Sequence, residues 1–338
     1  MLKAKIHYFT GTGNSYFAAK FIGDKLKDVD YEVEYFAVTK DSIKNIGAKD
    51  TNCDLAIFTF PVYACSVPQI MQDYMKKLKK VNDTKTVVIS TNGETDFKKT
   101  VPGYEGQCLL QAKRIVEKKG YKVFYTNTIG LPENITYIVN TPKKEDVDAL
   151  IEDAKLKLEE VFQKIVKNER FIKPCNILNQ IWSWLFGILY NVFGRRVLGK
   201  MLISTNKCNS CKICEKACPN KSIKLKFGKP RWNWDCMGCT RCINICPKQA
   251  IQTSFIRFFI ALALFPLLVF ILSLFNIVNI YLNILINSFA FFVIFYFVDK
   301  ILFLFEFIPI LRNILWISHT KKFRRYMLPK FNPLSKEL

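Results

Sequence analysis

Three observations predict the fold class of this 338-residue chain: an α/β doubly wound parallel sheet, then a small cysteine-rich α+β unit, then an apolar helical hairpin. Residues 1–168 alternate β-branched and aromatic runs with helical stretches. A twelve-residue cysteine pattern occurs twice between Cys208 and Pro247. From Phe258 to Val298, 41 consecutive residues carry no charge.

Strands of the first part are expected at Lys5–Phe9, Glu32–Val38, Leu55–Phe60, Thr86–Ser90 and Lys122–Asn127. Helices are expected at Ser15–Lys27, Gln69–Lys80, Gln107–Lys119 and Glu145–Val166. Five strands with crossover helices specify a parallel sheet, whose ligands bind at the carboxyl ends of the strands. The first such end reads Thr10-Gly11-Thr12-Gly13-Asn14-Ser15 and runs straight into a helix. Glycines let the backbone turn tightly, while N–H groups and hydroxyls face an anion at the positive helix end. A nucleotide-hydrolysing P-loop would end in Gly-Lys-Ser/Thr, and a dinucleotide fingerprint needs a glycine where Tyr16 stands. What remains is a cradle for one phosphate monoester, or a helix cap without a ligand.

The second part, 204–254, contains CNSCKICEKACP from Cys208 and CMGCTRCINICP from Cys236. Both follow C-x2-C-x2-C-x3-C-P. A zinc site wants one tetrahedral set, usually two pairs with a long spacer, and free thiols speak for a reducing compartment without disulfides. In this spacing three cysteines wrap one [4Fe–4S] cluster, and the cysteine before proline ligates the cluster of the other motif. One cluster is therefore expected on Cys208, Cys211, Cys214 and Cys246, the other on Cys236, Cys239, Cys242 and Cys218. Cys53, Cys65, Cys108 and Cys175 read as small buried hydrophobes. Trp232 and Trp234 read as a hairpin over the clusters, and His7 and His319 as structural residues.

The uncharged run is too long for one span, since a single helix of that length would be about 60 Å, twice the hydrocarbon core. A transmembrane hairpin at 255–300 is expected, with spans Phe258–Phe275 and Ile280–Val298 and a polar break at Asn276–Asn279. Asn283 and Asn287 share a helix face and would bond the neighbouring helix or line a quinone pocket. Ile301–Ile317 holds Glu306 and Arg312, so it is read as an interfacial helix followed by a basic tail in 301–338. An even number of spans keeps the cluster unit and the basic tail on the cytoplasmic side. In the linker 169–203, Ile177–Arg196 is rich in Trp, Phe and Leu and fits either an interfacial amphipathic helix or a helix packed on the cysteine unit. Charge agrees: residues 1–170 carry 27 Lys+Arg against 23 Asp+Glu, whereas 171–338 carry 23 against 5. The N-terminus lacks the apolar core of a secretory signal. The expectation is a protein of the cell membrane with its redox domains in the cytoplasm, bound to lipid and not to nucleic acid.

Residues 1–168 resemble flavodoxin, whose T/S-x-T-G-N-T/S loop is matched here by TGTGNS, and the cysteine unit resembles bacterial two-cluster ferredoxins. The whole order resembles flavodoxin–ferredoxin fusions, whose basic tail with Arg-Tyr is matched by Arg325-Tyr326. The resemblance implies FMN, with its phosphate on Thr10–Ser15 and its ring against Pro61, Val62 and Tyr63 and beside Thr91, Asn92 and Gly93. It implies electron transfer between the clusters and the flavin, with redox proteins or a small donor or acceptor as partners. Two alternatives remain. A flavin-dependent reductase would need a deep cavity beside Tyr63, and an iron–sulfur sensor would hold no flavin. No Ser/His/Asp set or carboxylate pair suggests acid–base catalysis.

Overall fold

A computed structural model describes residues 1–47, 52–94, 105–257, 259–260, 263 and 280–334. The first part runs β1 (Leu2–Tyr8), α1 (Asn14–Lys27), β2 (Tyr31–Ala37), α2 (Lys40–Lys44), β3 (Leu55–Pro61), α3 (Gln69–Lys77), β4 (Thr84–Glu94), α4 (Cys108–Glu117), β5 (Tyr121–Pro132) and α5 (Lys144–Val166). All five strands are parallel, in the order β2-β1-β3-β4-β5, the flavodoxin-like arrangement of a doubly wound sheet. A sixth strand, β6 (Phe171–Ile172), pairs with β5 at the edge. Sequence reading ended this domain at residue 168; a two-residue edge strand has too few side chains to show a period.

Side chains alternate across the sheet, so each strand feeds two cores. Ala4, Ile6, Tyr8, Ile57 and Ile89 pack under α1 and α5 with Ile22 and Leu158. Phe58, Phe60 and Val88 pack on the other face with Met71, Tyr74 and Leu109 from α3 and α4. Each fully buried aliphatic or aromatic side chain contributes roughly 1.5–3 kcal/mol. His7 projects into this second core. It is fully buried, shares a 2.8 Å hydrogen bond with Tyr74 and stacks on Phe36 and Phe58.

The linker forms α6 (Ile177–Leu189), a π-turn at Tyr190–Gly194 and α7 (Arg195–Lys200). Next come β7 (Leu202–Ser204), α8 (Ile213–Lys216), the hairpin β8 (Ile223–Lys226) and β9 (Lys229–Trp232), α9 (Arg241–Ile245) and β10 (Ile251–Thr253). β10 returns antiparallel to β7, closing the small α+β unit. The two cysteine motifs fold alike. Positive φ angles recur at matched positions: Ser210 and Gly238, Lys212 and Thr240, Lys221 and Gln249. Such turns collect backbone N–H groups into a concave, anion-favouring nest.

The chain ends with α10 (Ile280–Phe305) and α11 (Pro309–Leu315). Most of the first expected span, 258–275, and the break 276–279 lie outside the described residues, as do the side chains of Asn283 and Asn287. Among the described residues no helix is long and apolar enough to cross a membrane, so the fold does not support the hairpin. Near the end of the second expected span Phe295 is buried and meets Trp234 edge-on, and just beyond it Leu302 and Phe303 are buried as well. Asp299 pairs with Lys200 at 2.9 Å and with Arg231, and Arg257 pairs with Glu306 at 3.1 Å. The piece expected as one interfacial helix, 301–317, is two segments broken before Pro309. Glu306 turns inward, where its carboxylate meets Arg257, while Lys229 donates to its backbone carbonyl.

Burial, then the charge of Lys5, pushes the His7 imidazole down to about 3. With the folded value below the ordinary 6.5, the stability of the neutral ring is complete above pH 6.5. It is lost on acidification at about 1.4 kcal/mol per pH unit. His7→Phe should flatten the pH dependence of the urea midpoint between about pH 6.5 and 5 by one proton; an unchanged slope would contradict the assignment.

Candidate functional site

The eight motif cysteines surround two hollows. Cys208, Cys211, Cys214 and Cys246 line one, together with Leu225, Pro230 and Ile251. Cys218, Cys236, Cys239 and Cys242 line the other, with Tyr137, Ile223, Trp232 and Met237. The fourth cysteine of each motif thus faces the other motif's hollow. Among the described residues no three His, Cys, Asp or Glu side chains converge tightly enough to hold a single metal ion, whereas a polynuclear cluster needs thiols spread around it. Backbone N–H groups aim at sulfur: Ser222 donates to Cys218 at 3.2 Å and Ala250 to Cys246 at 3.3 Å. Burial pushes the Cys214 and Cys236 thiols up to about 12. A [4Fe–4S] cluster held by each set of four thiols would supply one-electron transfer, which the N–H···S bonds and apolar walls would tune.

Two arginines hold the second hollow, one to the loop after β1 and one to the linker. Arg241, buried between Thr240 and Cys242, donates to the carbonyls of Thr10 at 2.6 Å, Gly11 at 2.8 Å and Ala217 at 2.9 Å. Arg195 of α7 donates to the Cys236 carbonyl at 3.0 Å.

The Thr10–Ser15 loop therefore lies at the junction. Its side chains have partners within the chain. Thr10 Oγ1 accepts from the Gly13 N–H, and Thr12 Oγ1 accepts from Asn134 at 2.6 Å. Ser15 and Thr91 share a 2.7 Å bond. Asn14 donates to the Pro132 carbonyl and accepts from the Tyr326 hydroxyl. A Cβ on Gly11 would lie 2.4 Å from the Cys239 carbonyl, and one on Gly13 2.5 Å from Leu328 Cβ, with Phe331 beyond. The close approach that these glycines permit is taken by the cluster loop and the C-terminal segment. In this arrangement the loop does not fit a phosphate.

A cavity of about 440 Å3 lies beside it, lined by Val62 and Tyr63 after β3, Asn134, Ile135 and Tyr137 after β5, Phe186, Tyr190 and Leu198 of the linker, and Gly238–Thr240. That volume is in the range of small-molecule sites. Of the expected ring contacts, Val62 and Tyr63 stand in this wall. Pro61 pairs with Thr91 in the sheet, Gly93 abuts the Glu133 carboxylate, and Asn92 pairs with Gly130. Burial, then the neighbouring Cys239 sulfur, holds the Tyr63 hydroxyl well above its ordinary value, so it stays protonated. Sequence reading missed Asn134, Tyr190, Arg241 and Leu328; an arginine inside a cysteine motif was the one visible signal.

Residues 200–247 match the 4Fe-4S dicluster domain family. The chain joins a flavodoxin-like sheet to a ferredoxin-type domain. It is 40% identical over 53 residues to the pyruvate synthase subunit PorD of Thermotoga maritima, covering 15% of this chain and 54% of that one. It is 31% identical over 68 residues to an uncharacterized protein of Methanocaldococcus jannaschii, covering 20% and 26%. The chain thus spans between a quarter and just over half of these curated relatives. Among solved structures it is similar to a short-chain flavodoxin associated with a non-canonical PDU bacterial microcompartment (17% identity, 48% and 99% coverage, TM-score 0.32). It is also similar to an azoreductase from Bacillus anthracis (13%, 49% and 100%, TM-score 0.34). The strand order, not these likenesses, carries the fold.

The grouping of thiols has a sharp consequence. Cys208→Ser with Cys246→Ser should leave about half the iron, no less than either change alone. Cys208→Ser with Cys218→Ser should leave almost none. Iron analysis and EPR after anaerobic purification read the difference; loss following motif order instead would refute the crossed sets.

Proposed function

We propose that the chain is an electron-transfer protein that passes single electrons between two [4Fe–4S] clusters and a two-electron aromatic carrier in the cavity beside Tyr63. A flavodoxin-like sheet joined to a 4Fe-4S domain suggests the flavin and iron–sulfur class of electron transfer. The observation that carries the reading is the double placement of Cys239, which lines both the second hollow and the cavity. A ring in that cavity would have a cluster ligand in its wall, and two one-electron centres match one two-electron carrier. FMN draws support from the strand order and the TGTGNS loop, while the closed loop opposes anchoring by its phosphate. A reductase of a small acceptor is the second reading, because the cavity beside Tyr63 is the feature it needs.

The reading includes attachment to the cell membrane with the redox domains on the cytoplasmic side. What supports it is an inverted helix. In α6 and the π-turn, Ser183, Gly187 and Asn191 face the protein, against Gly106 and Ser66. Trp182, at 71% exposure, with Ile181, Trp184, Leu185 and Phe186, faces outward. In water the opposite arrangement is favoured, since exposing each such side chain forgoes roughly 1.5–3 kcal/mol. Ile310, at 76% exposure, and Ile317 continue the pattern near α11.

Anaerobic purification in detergent should yield about eight irons and eight sulfides per chain, reducible by dithionite, with FMN well below one per chain. Colourless or zinc-loaded protein would overturn the reading. In flotation assays the chain should rise with anionic vesicles, and Ile181→Glu with Trp182→Glu should lower the bound fraction about tenfold or more. Flotation unaffected by the pair would remove α6 from the membrane contact.

A further inference from the structure

We propose that the cavity beside Tyr63 is a binding site for a membrane quinone, which enters past Phe186 from the lipid-facing side of α6. The proposal rests on the electron-transfer reading above and names its carrier. Four observations point to this class of ligand. Among the described residues no Asp, Glu, Lys or Arg lines the cavity, so a neutral molecule suits it better than an anion. Its wall is built of aromatic and aliphatic residues, Tyr63, Tyr137, Tyr190, Ile135 and Leu198, as a flat ring requires, with Thr240 and Asn134 beside them already bonded within the protein. Phe186 and Ile138, both in the lining, are more than half exposed, so the mouth is apolar; Phe186 belongs to the outward face of α6. The loop that would anchor a phosphate is closed from the cavity by the Cys239 carbonyl and the Tyr63 hydroxyl, both against Gly11.

The chemistry balances. With a cluster held by each cysteine set, the quinone would take up two electrons, one from each reduced cluster, and two protons from water, so that both carbonyls would become hydroxyls. Each cluster would return to its oxidised state, and the reverse reaction would oxidise the quinol.

The test uses the full chain in detergent, with iron, sulfide and dithionite reduction measured first. If those fail, the electron-transfer reading falls. With the clusters intact, a photoreactive azidoquinone should label peptides containing Val62–Cys65, Ile135–Ile138 or Phe186–Tyr190. Leu198→Trp, which fills the cavity, should cut labelling about tenfold at unchanged iron content. Ile138→Trp at the rim gives the same reading if Leu198→Trp loses iron. Decylubiquinone carried in anionic vesicles should compete better than tail-less menadione in solution; the reverse order would make the ligand a soluble quinone and remove the membrane route. Labelling elsewhere, insensitivity to both substitutions, or one FMN per chain that blocks labelling would overturn the proposal.

Discussion

The junction between the two domains depends on one buried cation. Arg241 sits inside the second cysteine motif and spends its guanidinium on three backbone carbonyls, two of them in the loop after β1. Burying a guanidinium costs several kcal/mol unless its donors are met. Burial does lower its pKa, while the Cys239 and Cys218 sulfurs oppose that shift. Thiolates holding a cluster would supply negative charge to the same cation, so cluster assembly and domain docking favour each other. The residue that fixes the second hollow to the sheet also brings Cys239 to the wall of the cavity.

A second set of charges is drawn inward further along the chain: Asp299 between Lys200 and Arg231, Glu306 against Arg257, and Lys200 over the Trp234 ring. Only 5 acidic residues occur in 171–338, and two of them serve this buried set. Breaking a buried pair by removing one partner leaves an uncompensated charge and costs about 3–5 kcal/mol. The exposed faces of α6 and α11 are left to apolar residues.

The sheet was legible because its signals are local. β3, expected at Leu55–Phe60, spans Leu55–Pro61, and α5, expected from Glu145, begins at Lys144. The grouping of the cysteines around two hollows was legible because the repeated spacing puts three thiols of each motif on one turn of chain. Contacts between distant segments were not. Arg241 meets Thr10 across 231 residues and Tyr326 meets Asn14 across 312, and no period or spacing encodes such a pair. Nor does composition say which way α6 turns: its Trp-rich sequence suits a lipid face or a packed linker equally, and only the fold puts Ser183 and Gly187 against Gly106 and Ser66.

The loop after β1 shows why a motif can be read correctly and still leave its use open. Glycine at positions 11 and 13 answers two requirements, a positive φ of 112° at Gly13 and an approach too close for a Cβ. A phosphate imposes those requirements, and so does a neighbouring backbone. Here the Cys239 carbonyl fills the space above Gly11, and Leu328 and Phe331 fill that above Gly13. The surrounding hydroxyls are spent on Asn134, Thr91 and the loop itself. A phosphate would have to displace Leu328 and Phe331 and win the hydroxyls back from these partners. A neutral ring in the adjacent cavity has neither cost, which is why the geometry favours a carrier without a phosphate.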